Sequence, residues 1–393
     1  AYREAGFRHF LHNTPKAAFS QSCSPPPCIL YYPHMPTPHE CAQVQEEYVL
    51  LQSALAAQKE RLGVLIREGA SEEALASLTR DHAALREKMA SLAERVNPFE
   101  SILHLKEQYA AQREALKKAG VLETLSTHEQ GIRGIDGKEY PFPSYEMVRK
   151  RLLEKKEIIK EKADQGFIRL QLTPFAMQLD ALIEKYKAVI LRHHREGKLY
   201  GTKKDPHDPQ EALVPLGLDT ATPVWVWEKY LNADTSGALV YHTSAFDQNH
   251  GGTTKSEYLR TAHDGWDILL TEDLTNIPRA TKGTTKGSRP QLEAGKTPQE
   301  YLTLLITPPY LHESGCTPED WLTYAITHLE TTHQVIDDYQ GNGSICYNLG
   351  AYFPASLDVS CGYWYRGNQR AYMGWDDRGF RTGDVGARSA VRV

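Results

Sequence analysis

An α+β fold is predicted by three features of this 393-residue chain. Apolar residues recur at helical spacing from about Ala42 to Gly120, and further along short runs alternate apolar and polar residues as half-buried strands do. The final stretch, Cys361 to Val393, sets Tyr363, Trp364, Tyr365, Tyr372, Trp375 and Phe380 among Gly, Asp and Arg, with neither Lys nor Glu. Tyr and Trp give rigid contact area at low entropic cost, Arg adds planar donors, and Gly, Ser and Asn adapt, the mixture of antibody-like recognition surfaces. The same aromatics would equally serve as the core of an irregular β domain.

Residues 1–41 read as a Pro/His-rich flexible arm, because Pro25-Pro26-Pro27 and later X-Pro pairs favour extended conformations. Cys23, Cys28, His34, His39 and Cys41 could be gathered around zinc, but the tight two-residue spacings of structural zinc are missing and no metal is assigned. Residues 42–120 carry one narrow apolar stripe: Val44, Tyr48, Leu51, Leu55, Leu62 and Leu65, then Leu75, Leu78, Leu85, Met89, Leu92 and Val96, with Gly69 and Ser71 between the runs. Asn97-Pro98 opens a third helix holding Leu103, Tyr109 and Leu116, and Gly120 stands where a left-handed C-terminal cap belongs. Such a stripe must be covered. The segment is therefore either an oligomerising helical bundle or coiled coil, or an intramolecular hairpin acting as a spacer.

Residues 121–393 are expected to form an α+β ligand-binding region. A Gly-rich joint (Gly131 to Pro143) precedes a charged helix, about Ser144 to Gln165, read as solvated. Phe167 to Leu172 alternates as a strand; Thr173-Pro174 starts a helix with Met177, Leu182, Ile183, Tyr186 and Ile190 on its apolar face, ended by Gly197, and His193 and His194 suit its C-terminal dipole. Pro223 to Leu231 and Trp266 to Leu270 read as strands of a buried sheet, with loop between them. Gly283 to Ser288 lacks the Lys position of a phosphate loop and is read as a flexible surface loop. Helices follow near Thr297 to Ile306 and Thr317 to Ile336, the second capped by Thr317, Pro318 and Asp320. Asp337 and Asp338 are read as solvated acids at its end, and Gly341-Asn342-Gly343-Ser344 as a turn into the strand Ile345 to Phe353.

The order of the C-terminal motifs, Trp364, Arg370-Ala371, Asp376-Asp377-Arg378, Gly386-Ala387-Arg388, then the alternation Ala390 to Val393, resembles the end of the C-type lectin-like fold shared by formylglycine-generating enzymes and the variable proteins of diversity-generating retroelements. Ala387 stands where that signature has Phe. The resemblance covers about 297–393, and the helix pair before the last β segment agrees with it. It implies a C-terminal C-type lectin-like domain following the N-terminal helical bundle or coiled coil, with Trp364, Arg370, Ala371, Gly386 and Arg388 as scaffold. It also implies that mutagenesis at template adenines diversifies selected codons, giving a hypervariable surface at Asp358, Ser360, Tyr363, Tyr365, Asn368, Tyr372, Gly374, Trp375, Phe380, Thr382 and Asp384. The expected function is non-catalytic binding of a protein or surface ligand by a homo-oligomer, without cofactor.

Two other readings are weighed. A formylglycine-generating-type oxidase needs a pair of thiols near the Arg-Ala strand to bind copper; between Trp364 and Val393 there is no cysteine, and only Cys346 and Cys361 could approach across a hairpin. A structural assembly protein would use the aromatics for packing alone. No Ser-His-Asp or Cys-His arrangement can be defended. Asp376, Asp377 and Asp384 lack the spacing of a calcium loop and read as solvated turn carboxylates. The net charge of −5 excludes a globally basic nucleic-acid binder. Six scattered cysteines do not make a disulfide framework. No apolar run of membrane-spanning length and no signal core are seen, so a cytoplasmic location is the default expectation.

Overall fold

A computed structural model describes residues 38–67, 71–96, 98–206, 208–261 and 263–393. Cys23, Cys28 and His34 lie outside the described residues, as do the side chains of His39 and Cys41. The chain is α+β and divides after Met89 into two compact units. No helix among the described residues is long and apolar enough to cross a membrane.

In the first unit, helix Pro38–Arg67 is followed by helix Glu72–Val96, whose last turns pass into the second unit. An ion pair of 3.1 Å joins Glu47, early in the first helix, to Lys88, late in the second, so the helices run antiparallel. The stripe stays half-buried at Leu55, Leu62, Leu75, Leu78 and Leu85, and Leu50 and Ile66 are exposed.

The boundary expected at Gly120 falls instead at Met89, because Phe99, Leu103, Leu105 and Leu116 are buried in the core of the second unit. The third predicted helix breaks at His104, which takes a left-handed conformation between Pro98–Leu103 and Leu105–Lys118. Gly120 has φ +70, the conformation a C-terminal cap requires. The predicted Gly-rich joint is instead a small antiparallel sheet of Glu123–Thr124, Gln130–Arg133 and Glu139–Pro141. Gly131 opposes Pro141 there, with a backbone too close for any Cβ.

Two sheets enclose the main core. Four antiparallel strands lie in the order Ser314–Gly315, Ser389–Arg392, Asp267–Glu272 and Phe167–Thr173. The larger sheet curls into a half-barrel, in the order Val224–Val226, Arg370–Asp377, Asp358–Tyr365, Ile345–Phe353, Val240–Tyr241 and Thr253–Thr254. Two short strands join it in parallel: Asp338–Tyr339 beside Asp358–Tyr365, and Val385–Ala387 beside Ile345–Phe353.

Helix Pro318–Thr332 is buried on nearly every side: Trp321, Leu322, Ala325, Ile326 and Leu329 form one apolar stripe, and Thr323, Thr327 and Glu330 are buried on the other side. Its start is fixed by a capping box between Thr317 and Asp320 with Pro318 at the first position. Helix Pro298–Leu305 starts in the same way, from Thr297 and Glu300.

Several local expectations are corrected by burial. The charged helix is two helices, Tyr145–Glu154 and Lys156–Asp164, and it is not solvated throughout. Lys162 is buried against Glu313 at 2.7 Å, and Arg289 donates to the same carboxylate. Arg289 lies in a tight hairpin, Thr285–Lys286 with Arg289–Pro290, where a flexible loop is predicted. The helix expected to start at Thr173-Pro174 begins at Leu179, and the polar stretch before Trp266 contains helix Lys255–Arg260 with a capping box of its own. His193 is buried, its pKa pushed down to about 4 by desolvation first, so near neutral pH it is not a cation for the helix dipole.

A candidate binding face on the large sheet

Successive side chains of a strand point to opposite faces, so register decides which residues can act together. Tyr363 pairs with Tyr372 and Tyr372 with Trp225, and all three project to one face; Tyr365 and Arg370 pair beside them. Tyr339 reaches the same group through the parallel pairing Tyr339 with Tyr365.

The rings form a continuous cluster. Tyr363 and Tyr372 stack with centroids 5.1 Å apart and planes 11° apart. Trp225 lies 5.2 Å from Tyr372, and Tyr339 lies 5.7 Å from Tyr363 and 5.3 Å from Tyr365. Tyr363, Tyr365, Tyr372 and Trp225 are neither buried nor fully exposed, whereas Asn368 at the adjoining turn is exposed. The Tyr372 hydroxyl accepts from Asn368 Nδ2 and from Arg370, whose Nε and NH2 group stand 3.2 and 3.1 Å away. Arg370 is also tied to Asp219 at 3.2 Å.

Beside the cluster is a concavity of about 320 Å³, lined by Trp225, Ile345, Cys361, Tyr363, Tyr372, Gly374, Trp375, Asp376 and Phe380. Gly374 forms part of its floor: a Cβ there would come within 3.2 Å of the Cys361 sulfur and 3.9 Å of the Trp225 ring. The loop after the Arg370–Asp377 strand folds over one side, held by the Tyr347 hydroxyl donating to the Phe380 carbonyl at 2.8 Å. Trp375, 43% exposed, stands at the rim; it pairs with Ser360, and its ring is turned to Trp227, 5.2 Å away with the planes tilted by 35°.

Asp376 is the charged residue of this lining. Burial, then Asp358 and Asp377, push its pKa up to about 7. Its carboxyl makes no hydrogen bond or ion pair among the described residues, so the solvated turn acid expected from sequence is a partly enclosed strand residue. Asp377 is exposed at the strand end, and Asp384 accepts from the Thr382 hydroxyl.

The opposite face is closed, and its buried acids Asp337 and Asp338 are matched. Asp337 accepts from Arg388 at 2.6 and 3.2 Å, from the Trp321 indole at 2.9 Å and from the Ile277 amide at 3.2 Å. Arg388 donates further to the carbonyls of Leu274 and Thr275. Asp338 is paired with Arg366 at 2.6 and 2.8 Å and caps the Thr202 amide at 3.0 Å. Both carboxylates are fully buried, which corrects the reading of them as solvated helix-end acids. Trp364 and Ala371 are buried on this face, and Gly386 leaves no room for a Cβ, which would sit 2.7 Å from Ile277.

Two residues assigned to the displayed surface belong to this closed face. Ser360 is fully buried, its Oγ accepting from Tyr230 at 2.6 Å and from Asn348 at 2.8 Å. Asp358 shares its parity and is also buried, 3.7 Å from Lys229. Alternation along Asp358–Tyr365 separates these even positions from Tyr363 and Tyr365. Gly374 is buried too, and contributes by having no side chain.

The two thiols weighed for oxygen chemistry are not brought together. Cys346 pairs with Gly362 and Cys361 with Tyr347, so they point to opposite faces and lie in different apolar clusters. Burial first, then Asp337 for Cys346 and Asp376 for Cys361, raises both thiols well above their ordinary pKa, which disfavours the thiolate that metal binding requires.

Trp225, Tyr339, Ile345 and Asp376 were missed as site residues. The alternation of Trp225 with Val224 and Val226 was the available signal for the first; nothing local shows that it pairs with Tyr372. Comparison with protein-family models, curated proteins and solved structures finds no match.

Proposed function

We propose that this chain is a non-catalytic binding protein of the kind found as variable proteins of diversity-generating retroelements, presenting an aromatic surface on a C-type lectin-like scaffold to a protein or surface ligand. One observation carries the reading: Tyr363, Tyr365 and Tyr372, assigned as interchangeable positions, form a continuous half-exposed cluster on a sheet whose opposite side is held by buried, matched charges. A rigid scaffold with an adaptable face suits substitution of the face without loss of the fold. The half-buried leucine stripe of the N-terminal hairpin favours assembly into homo-oligomers, which would multiply weak sites by avidity.

Deep sequencing of the 3′ end of the encoding gene and its flanking DNA, across a population of the source organism, tests the reading. The expected result is substitution concentrated at Tyr363, Tyr365, Asn368, Tyr372, Trp375 and Phe380, sparing Ser360, Trp364, Gly386 and Arg388, with a nearby near-copy that differs at adenines. A uniform gene without such a repeat removes the retroelement assignment.

A further inference from the structure

The concavity joins three properties that the binding reading alone does not use. It has aromatic walls, it holds a carboxyl without a hydrogen-bond partner among the described residues, and no cation among those residues is paired to that carboxyl. Trp225, Tyr363 and Tyr372 line it together with Asp376, and its volume of about 320 Å³ admits a side chain but not a folded element. Cations around this face are engaged elsewhere: Arg370 with Asp219, Lys229 3.7 Å from Asp358, Arg378 with the Phe246 carbonyl and Arg381 with Glu300.

We propose that this concavity receives the guanidinium of an arginine side chain displayed by a protein partner, stacked on the aromatic wall and paired with the Asp376 carboxyl. The inference rests on the binding reading above and names the chemistry of the group that this face recognises. The planar, weakly hydrated guanidinium stacks on rings and pairs with a carboxylate through two parallel hydrogen bonds, whereas a compact ammonium holds its water more strongly. The protein already shows the contact at the edge of this face, where the Arg370 guanidinium lies 5.3 Å from the centre of the Tyr372 ring. An incoming cation would also relieve the repulsion among Asp376, Asp358 and Asp377, the two carboxylates that act with burial to hold Asp376 partly protonated.

The test titrates the full chain with N-acetyl-arginine methylamide and with its neutral isostere N-acetyl-citrulline methylamide, followed by tryptophan fluorescence. Trp225 lines the site beside Tyr372 and Trp375 stands at its rim, whereas Trp227, Trp266, Trp321 and Trp364 are buried. The arginine probe is expected to bind about ten-fold tighter than citrulline, the scale of one cation–π contact together with one charge-assisted hydrogen bond. Asp376→Asn is expected to bring the two probes within about two-fold of each other, with thermal melting showing that the variant is folded. Equal binding of the two probes to the unmodified chain overturns the inference and leaves the aromatic face as a site for uncharged ligands. A preference for arginine that survives Asp376→Asn also overturns it, as does the absence of any response to either probe. None of these results touches the population-sequencing test of the binding reading, so the two can fail separately.

Discussion

The two faces of the large sheet solve different problems with the same backbone. On the closed face, Asp337 and Asp338 are fully buried but saturated, by Arg388, Trp321 and the Ile277 amide in one case and by Arg366 and Thr202 in the other. On the open face, Tyr363, Tyr365 and Tyr372 touch mainly one another, and Asp376 touches no polar partner among the described residues. A saturated buried network loses heavily when any member changes, because the remaining charge stays desolvated. A half-exposed ring whose neighbours are other rings loses only contact area and stacking. The closed face therefore holds the fold, whereas the aromatic patch should bear substitution; elsewhere on its own side of the sheet Val359 and Cys361 are buried in a second apolar cluster.

The largest expected effect follows from breaking the closed face. Arg388→Ala leaves Asp337 buried without its cation and should cost about 3–5 kcal/mol. Urea denaturation followed by circular dichroism measures it. Tyr372→Ala should cost less, about 2 kcal/mol in the same assay, because the ring contacts it loses with Trp225, Tyr363 and Tyr365 are at a half-exposed site. If the two losses were equal, the contrast between the faces would collapse.

Ser360→Ala sharpens the comparison within a single strand. The change leaves the Tyr230 hydroxyl without its 2.6 Å acceptor and the Asn348 amide without its 2.8 Å acceptor. The Tyr230 hydroxyl can still donate to the Gly374 carbonyl at 3.1 Å, so about 2 kcal/mol is expected. Ser360 is three residues from Tyr363, yet it should behave as core. A cost below about 0.5 kcal/mol would return it to the displayed set.

How much of this was legible in the sequence depends on where each partner comes from. The strands Phe167–Thr173 and Ile345–Phe353, and the helix starts at Thr297 and Thr317, were readable because capping boxes, alternation and Asn-Gly turns are local signals. The aromatic residues of the face were also readable as a group. The split between faces was not drawn, although alternation along Asp358–Tyr365 contains it. Trp225 as a neighbour of Tyr372, Arg388 as partner of Asp337 and Glu313 as partner of Lys162 come from distant segments, and no local pattern specifies them. Charged residues were read as solvated for that reason: sequence shows a charge but not the countercharge that allows its burial.

Asp376 offers a pH-dependent way to separate the faces. Its folded-state pKa of about 7 lies above the ordinary 3.8, so the folded chain keeps a proton that the unfolded chain releases. The stability this contributes is complete below about pH 4 and is lost as pH rises to about 7. Asp376→Asn removes that loss. Relative to the unmodified protein, the variant should gain stability progressively between pH 4 and 7 and then level off, by on the order of 1–2 kcal/mol after discounting for the water that reaches the carboxyl. Chemical denaturation at pH 4, 5.5 and 8 gives the curve, and a difference independent of pH would mean that Asp376 ionises as an ordinary surface acid.

The smallest effect is expected at Asn368, and it tests whether the open face is independent of folding. Asn368 is exposed in the short turn Arg366–Asn368, and its amide donates to the Tyr372 hydroxyl. That hydroxyl keeps two donors from Arg370, at 3.1 and 3.2 Å, when the amide is gone, and Arg370 is itself anchored to Asp219. Asn368→Ala therefore leaves no buried group unmatched and should change stability by less than about 0.5 kcal/mol. Its effect should instead appear in binding, because the exposed Asn368 amide borders the aromatic cluster at the Tyr372 hydroxyl. A loss of stability as large as that of Ser360→Ala would make the turn and its hydroxyl network part of the folding framework, and the open face would then tolerate far less substitution than a displayed surface needs.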